Sequence, residues 1–453
     1  MHSRRIILAT AITALLAFAP ATFAETKAPA APSEFKKIYD KVELKDGDSF
    51  VFLGDSITHQ CLYTQYVEDY FYTRMPKVRI HFHNAGVGGD RAKDALNRFD
   101  DDVAAFKPKY VTILLGMNDG AYRGFDQQTF DNYQADMTAL LDKIAALGAT
   151  AIPMTPTMFD SRAKKLKGDN TEPRNTYYNG VLSLYGSWLR EQAQNRGLGF
   201  VDMWSPLNNL TLEKRKQDAN WTMIGDAVHP GPVGQTVMAA AIINDVVPKT
   251  VVSQTTIIAD AAKPTATAAN AKVSDLKVAG GKVTFTLMEN SLPWVLPPDT
   301  AEGQTLTHIG HRNGNEKLTV RQLPAGKYEL KIDGAPVGQF TDGQLSVGVE
   351  LEGNDKTPQY QQALKVALLN KERNEKVYQK IRGLYSQLKG KRNALAKLDA
   401  NAPAAAAKKE EFAKWHADQK SQVAALLADA RKIEDQIYVE NQPKPHSYEL
   451  TKL

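Results

Sequence analysis

The chain has 453 residues, 43% hydrophobic and 24% charged, with 30 Gly and 22 Pro. This balance excludes collagen-like, low-complexity and largely disordered chains, and at about 150 residues per domain the length allows two or three units. The formal charge of +5 is small for this length and comes with no basic stripe of interleaved aromatics, so nucleic acid is not an expected partner. The single cysteine, Cys61, excludes an intramolecular disulfide and a cysteine-based zinc site.

Residues 1–24 carry Arg4 and Arg5, an apolar run from Ile6 to Phe18, Pro20 and a small-residue site ending at Ala24. This is the pattern of a secretory signal, and residues 3–8 partly resemble a twin-arginine signal. The run is too short for a comfortable membrane-spanning helix, and no Cys lies near the cleavage site to take a lipid. The expectation is an exported protein, periplasmic or secreted, without a stable membrane anchor. Cleavage removes Arg4 and Arg5 and lowers the formal charge from +5 to +3. An exported chain without disulfides is held by its core alone.

Residues 25–47 read as a tether and lead-in, rich in Pro and Ala at 28–32. Over 48–250, short apolar runs at 49–53, 78–82, 110–115, 149–154 and 199–201 alternate with segments of helical spacing such as 92–106, 130–147 and 177–196. Buried strands alternating with helices indicate an α/β domain, here with five parallel strands covered on both faces. The charged residues of 92–106 read as a solvated face. Gly148 and Gly197 stand where helices should end.

Residues 251–352 read as a small β domain. Runs at 283–287, 317–320, 327–332 and 344–351 alternate with Gly280-Gly281, Pro324-Ala325-Gly326, Asp333-Gly334 and Asp342-Gly343, which predicts an antiparallel unit. In 353–453, Val377, Ile381, Leu384, Leu388, Leu395 and Leu398 follow a four-and-three spacing, and so do Phe412, Val423, Leu426, Ala430, Ile433 and Ile437. This predicts an antiparallel helical hairpin and a C-terminal tail. Such a hairpin either folds back on its own chain or joins two chains in a homo-oligomer.

The residues suited to chemistry concentrate in the first unit. Val51-Phe52-Leu53-Gly54-Asp55-Ser56 is an apolar strand ending in a serine, and open α/β sheets bind ligands at the C-terminal ends of their strands. A helix starting there turns its amides towards the hydroxyl, a setting suited to a developing oxyanion. A plain N-cap serine looks the same. Asp226-Ala227-Val228-His229-Pro230 offers a base for a hydroxyl nucleophile and an acid to orient it. Alone it also fits a solvated loop histidine beside a capping aspartate. Asn84-Ala85-Gly86-Val87-Gly88-Gly89-Asp90 lets backbone N–H groups approach a ligand but lacks dinucleotide spacing. Gly116-Met117-Asn118-Asp119 offers an amide side chain as an oxyanion donor.

Together these four clusters, in the order Ser, Gly, Asn, His, resemble the blocks of the SGNH (GDSL) hydrolase family over roughly residues 48–247. The resemblance implies a flavodoxin-like three-layer α/β/α fold and ester hydrolysis with no metal or other cofactor. It implies Ser56 as nucleophile, His229 as general base and then acid, and Asp226 as the residue that orients His229. The Ser56 and Gly89 N–H groups and the Asn118 side chain would form the oxyanion hole. The Gly-Asp-Ser-Ile-Thr opening and the Gly-Met-Asn-Asp block are more similar to carbohydrate acetylesterase branches than to lipase branches.

The expected function is an exported serine esterase that removes short acyl groups, acetyl foremost, from a carbohydrate or another small ester through an acyl-enzyme. A lysophospholipase or thioesterase of the same family is the enzymatic alternative. A non-catalytic binding or assembly protein acting through the C-terminal modules is the alternative of another class. His59, Asp119 and Trp294 are candidate substrate contacts, Trp294 either as an aromatic platform or as packing between domains. Asp55 is expected to brace the nucleophile turn, and Cys61 to pack as a small core residue. His81 and His83 share a strand face but lack a third ligand, so no metal site is expected. His308 and His311 read as loop residues.

Overall fold

Residues 49–54, SFVFLG, form the first strand, β1 (Ser49–Gly54), buried at every position from Phe50 onward. Successive side chains of a strand point to opposite faces, so both faces of this strand are covered. The computed structural model describes residues 37, 39, 41–166, 177–399 and 405–453. The leader expected at 1–24 and the Pro/Ala stretch at 28–32 lie outside the described residues.

Three further strands run parallel to β1: β2 (His81–Gly86), β3 (Tyr110–Leu114) and β4 (Thr150–Pro153). Their order is β2-β1-β3-β4, with Leu53 opposite both Ala85 and Ile113. The helices are α1 (Ser56–His59), α2 (Leu62–Arg74), α3 (Ala92–Asp102), α4 (Gln127–Ala146), α5 (Ser161–Leu166), α6 (Tyr178–Arg196), α7 (Trp204–Arg215) and α8 (Pro232–Val246). α2 packs on α8 and α3 packs on α4, which with the buried sheet makes a three-layer α/β/α fold. β1 has β2 on one side and β3 on the other, and this reversal opens a crevice at its C-terminal end.

The parallel sheet has four strands, not the five expected. Residues 199–201 supply a single parallel bridge, from Val201 to Met154. There is little room for more. Gly197, left-handed at φ 69°, ends α6, and the Asp202 carboxylate already caps the start of α7 by accepting from Ser205 N–H at 3.0 Å.

The β unit comprises β5 (Ser253–Ile258), β6 (Thr265–Ala269), β7 (Ala271–Ala279), β8 (Lys282–Glu289), β9 (Glu316–Arg321), β10 (Lys327–Ile332), β11 (Ala335–Thr341), β12 (Val349–Glu350) and β13 (Pro445–Lys452). One sheet has the order β12-β9-β5-β6, the other β11-β10-β13-β8-β7. Residues read from the sequence as a tail therefore sit inside a sheet. Phe285 of β8 stacks on Tyr448 of β13 with ring centres 4.9 Å apart. β5 runs parallel to β9, so the unit is not wholly antiparallel.

Between β8 and β9 lie α9 (Ala301–Thr307) and α10 (Ile309–Asn313). His308 joins them in a left-handed conformation and His311 lies inside α10, where a loop was expected. Residues 344–351, expected as a strand, begin instead as α11 (Asp342–Val347). The Thr341 and Gln344 side chains close a capping box on its first turn. Gly348, at φ 106°, then turns the chain into the short β12.

The C-terminal arm consists of α12 (Pro358–Arg373), α13 (Gln379–Ala396) and α14 (Ala405–Glu440), with a π-helical turn at Asn374–Tyr378. α14 packs against both α12 and α13. The apolar stripe of the hairpin, including Val377, Ile381, Leu388, Val423 and Ala430, closes over Cys61 and Val87 of the α/β domain. The arm thus folds back on its own chain. Buried polar contacts fix it there. Arg373 meets Glu68 at 3.2 Å, Asn370 donates to Asp69 at 2.8 Å, and Arg382 takes both Asp102 oxygens at 2.8 and 2.9 Å.

Candidate active site

The chain leaves β1 at Gly54 and turns at once into α1. Asp55 caps that helix, its Oδ1 accepting from Ile57 N–H at 2.9 Å. Ser56 is therefore the first helical residue, where N–H groups have no partner within the helix. The turn is tight. A Cβ on Gly54 would lie 2.0 Å from Thr58 Oγ1, and one on Gly86 would lie 2.3 Å from His59 N. Only glycine allows β1 and β2 to approach α1 this closely. Burial, against the Ile57 hydrogen bond and with the charges of Asp119 and Asp90 nearby, pushes the Asp55 carboxyl up to about 7. Asp55 braces the turn, as the sequence led us to expect.

The loop before α8 carries the histidine. Asp226 Oδ1 accepts from Val228 N–H at 2.9 Å and from His229 N–H at 2.7 Å, and its Oδ2 faces His229 Nδ1 at 2.6 Å. Ala227, at φ 77°, reverses the chain between acid and base, which is how a spacing of three residues brings them together. His229 Nε2 lies 2.8 Å from Ser56 Oγ. Burial raises the Asp226 carboxyl, but the hydrogen bonds from His229 and Val228 outweigh it and hold it below its usual range.

Two further loops complete the crevice. Gly89, at φ 68°, turns the chain after β2. The N–H groups of Ser56 and Gly89 make no hydrogen bond among the described residues. Asn118 follows β3. Its Nδ2 donates to the Asp90 carbonyl at 3.0 Å and its Oδ1 accepts from Tyr122 OH at 2.9 Å. The structure thus brings Ser56, His229 and Asp226 into one hydrogen-bonded row. It ties Asn118 to the loop that holds Gly89.

Two buried residues that support this geometry escape sequence reasoning. Arg98 of α3 donates to Asp90 at 2.7 Å, Asp102 at 2.6 Å, Gly54 O at 3.1 Å and Ala85 O at 2.8 Å. The charges of 92–106 therefore do not all form a solvated face: Arg98 binds the ends of β1 and β2, and buried Asp102 pairs with it. Gln235 of α8 accepts from Tyr63 N–H at 3.0 Å and donates to Gln60 at 2.8 Å and Pro230 O at 3.3 Å. It links the histidine loop to α1 and α2. Its one signal in the sequence is a glutamine just ahead of the apolar run Val237–Ile243.

The candidate substrate contacts fare differently. Trp294 is 3% exposed, donates from Nε1 to Tyr66 O at 2.9 Å and meets Tyr70 edge-on at 5.2 Å, so it is packing and not a platform. Asp119 is buried, and its Oδ1 accepts from Ala92 N–H at 2.9 Å at the start of α3. His59 ends α1 beside the arm, where its carbonyl accepts from Gln379 Nε2 at 3.1 Å. Burial and the charges of Arg382 and Arg98 push its ring down to about 4.

The remaining histidines and the cysteine have separate surroundings. His83 contacts Asp102 at 2.9 Å and stacks on Phe106, whereas His81 meets Glu434 at 3.2 Å. They do not converge. Cys61 is buried under the arm, where burial pushes its thiol up to about 12.

Residues 52–237, which hold Ser56, Gly89, Asn118, Asp226 and His229, match the model of the GDSL-like lipase/acylhydrolase family. This segment is an SGNH hydrolase domain. The chain is 25% identical over 228 residues to an acetylxylan esterase of Geobacillus stearothermophilus, covering 45% of this chain and 96% of that protein. It is 34% identical over 74 residues to an uncharacterized lipoprotein of Bacillus subtilis strain 168, covering 16% of this chain and 30% of that one. A solved structure of a gut microbial diltiazem-metabolizing enzyme matches it with a TM-score of 0.79 at 25% identity, over 92% of this chain and 100% of that one. By family and homologue, this segment is a serine esterase domain of the SGNH class.

Proposed function

We propose that this SGNH esterase is an exported enzyme that removes acetyl or similar short acyl groups from a carbohydrate. The observation that carries the reading is the row Ser56–His229–Asp226, at 2.8 and 2.6 Å, beside the unengaged N–H groups of Ser56 and Gly89. Ser56 Oγ attacks the ester carbonyl while His229 Nε2 takes its proton. Asp226 keeps a proton on Nδ1 and balances the charge of the imidazolium. The oxyanion rests on the Ser56 N–H, the Gly89 N–H and Asn118 Nδ2. His229 passes its proton to the leaving alcohol. A water then loses a proton to His229 and attacks the acyl group, and Ser56 regains its hydrogen as the acid departs.

The similarity to an acetylxylan esterase supports a carbohydrate ester as substrate. The leader pattern at residues 1–24 supports export. Among the described residues no helix is long and apolar enough to cross a membrane. The test compares the purified enzyme on acetylated xylan, acetylated peptidoglycan, long-chain p-nitrophenyl esters and acyl-CoA. Acetate released from an acetylated polysaccharide is the expected result. A preference for long chains or thioesters overturns the reading.

A further inference from the structure

The loop that carries Gly89 has few means of fixing its own shape. Gly88 and Gly89 have no side chains, and a Cβ on Gly88 would meet nothing within 4 Å. Glycines are the most permissive residues of a backbone. An N–H group stabilises an oxyanion only if it is already aimed before the charge develops. Something outside the loop must therefore hold it.

Asn118 and Arg98 hold the loop at Asp90, and the arm supplies the rest. Lys389 of α13 donates from Nζ to the Gly88 carbonyl at 3.2 Å and forms an ion pair with Asp90 Oδ1 at 2.9 Å. It grips the residue on either side of Gly89. Asp94, at 3.7 Å, is the other charge facing the ammonium. Asp90 is buried, and its second oxygen takes Arg98 Nε at 2.7 Å. Arg98 in turn shares Asp102 with Arg382, about two turns before Lys389 on the same helix. Gln379, at the start of α13, donates to the carbonyls of His59 and Gln60, both at 3.1 Å. One helix thus touches the end of α1, the base of α3 and the glycine loop.

We propose that Lys389 is a positioning residue for the oxyanion loop, and that α13 completes the active site although it lies outside the matched span 52–237. The proposal rests on the reading of Gly89 as an oxyanion donor.

The experiment measures p-nitrophenyl acetate hydrolysis by the parent, Lys389→Met, Lys389→Arg, Lys391→Met and Ser56→Ala. Lys391 is the control. It lies on the same helix with its ammonium over Trp415, 5.0 Å from the ring centre. End-point titration with a serine-reactive phosphonate counts competent sites, so loss of folded protein is read apart from loss of rate per site. Because small misplacements of catalytic groups cost up to about 100-fold, Lys389→Met is expected to lower kcat per site by about 10- to 100-fold. KM stays within about twofold, Lys389→Arg recovers most of the rate, and Lys391→Met matches the parent. An unchanged kcat in Lys389→Met, a change in KM alone, or an equal loss in Lys391→Met overturns the proposal. If Ser56→Ala retains hydrolysis, the reading of the site itself falls. If Ser56→Ala is inactive and Lys389→Met is not impaired, only the role of Lys389 falls.

Discussion

His229 Nε2 lies 2.8 Å from Ser56 Oγ across 173 residues of sequence. β1 delivers the serine, the loop before α8 delivers the histidine, and Gln235 links the two through Gln60 and Pro230. If the three residues act as a unit, Ser56→Ala and His229→Ala each lose about 10⁴–10⁶ in kcat. Asp226→Asn loses about 10⁴ through the wrong tautomer. Steady-state kinetics on p-nitrophenyl acetate, with circular dichroism to verify the fold, would show this. Retained activity in any of the three removes that residue from the unit.

Asn118 has two tasks, an oxyanion contact and the 3.0 Å bond to the Asp90 carbonyl. Asn118→Ala should cost about 10²–10³ in kcat. It should also slow labelling by a serine-reactive phosphonate, whose oxygen occupies the same hole. A loss in KM alone would place Asn118 among ground-state contacts instead.

Arg382 and Asp102 form a bidentate buried pair. Burial works against the Asp102 charge, but Arg382, His83 and Arg98 hold its carboxyl well below the usual range. A depressed folded value means that this pair stabilises the fold above about pH 4, the unfolded value. That contribution is lost as the pH falls towards the folded value. Arg382→Met leaves the buried Asp102 carboxylate with only Arg98 and His83 as partners and should cost about 1.5–3 kcal/mol. Urea unfolding at pH 7 measures it, and a cost below about 1 kcal/mol would contradict the pairing.

Asp119 titrates in the opposite sense. Burial, against the Ala92 hydrogen bond, pushes it up to about 7, whereas an unfolded aspartate titrates near 4. Its contribution to stability is complete below about pH 4 and is lost as the pH rises through about 7. Asp119→Asn removes this titration. Between those values the variant's stability should fall less steeply by up to about 1.4 kcal/mol per pH unit. Urea unfolding at pH 5, 6 and 7 reads the slope, and identical slopes would refute the assignment.

Trp294 separates packing from sugar binding. Trp294→Ala should cost about 3–5 kcal/mol of stability and leave KM for acetylated oligosaccharides unchanged. A raised KM with an unchanged melting temperature would restore the platform.

β1, β3 and β4 were legible because both of their faces are apolar, whereas the run at 78–82 only reaches the start of β2 (His81–Gly86), whose buried half carries His83 and Asn84. The four loop clusters were legible because a hydroxyl, an amide and an imidazole cannot be exchanged for other groups. The supports were not. Gln65, Glu68 and Asp69 on α2 look like a solvent face, yet Asn370 and Arg373 bury them from the far end of the chain. A helix buried all round by polar pairing shows no amphipathic stripe. Lys389 and Arg98 likewise look like ordinary surface charges, because a clamp needs only a donor of the right reach. In β13 the alternation was present at His446, Tyr448 and Leu450, but it was short and followed a long helix.

β13 has both edges paired, to β8 and to β10. A chain that stops before Pro445 therefore offers two bare edges, each a template for another molecule. During synthesis the same holds for time instead of length. β8 and β10 pair early with β7 and β11, but the edges they turn towards each other stay open until residues 445–452 emerge, so the second sheet closes last. Chaperone dependence and sensitivity to C-terminal fusions should follow that delay, not the strength of the α/β core.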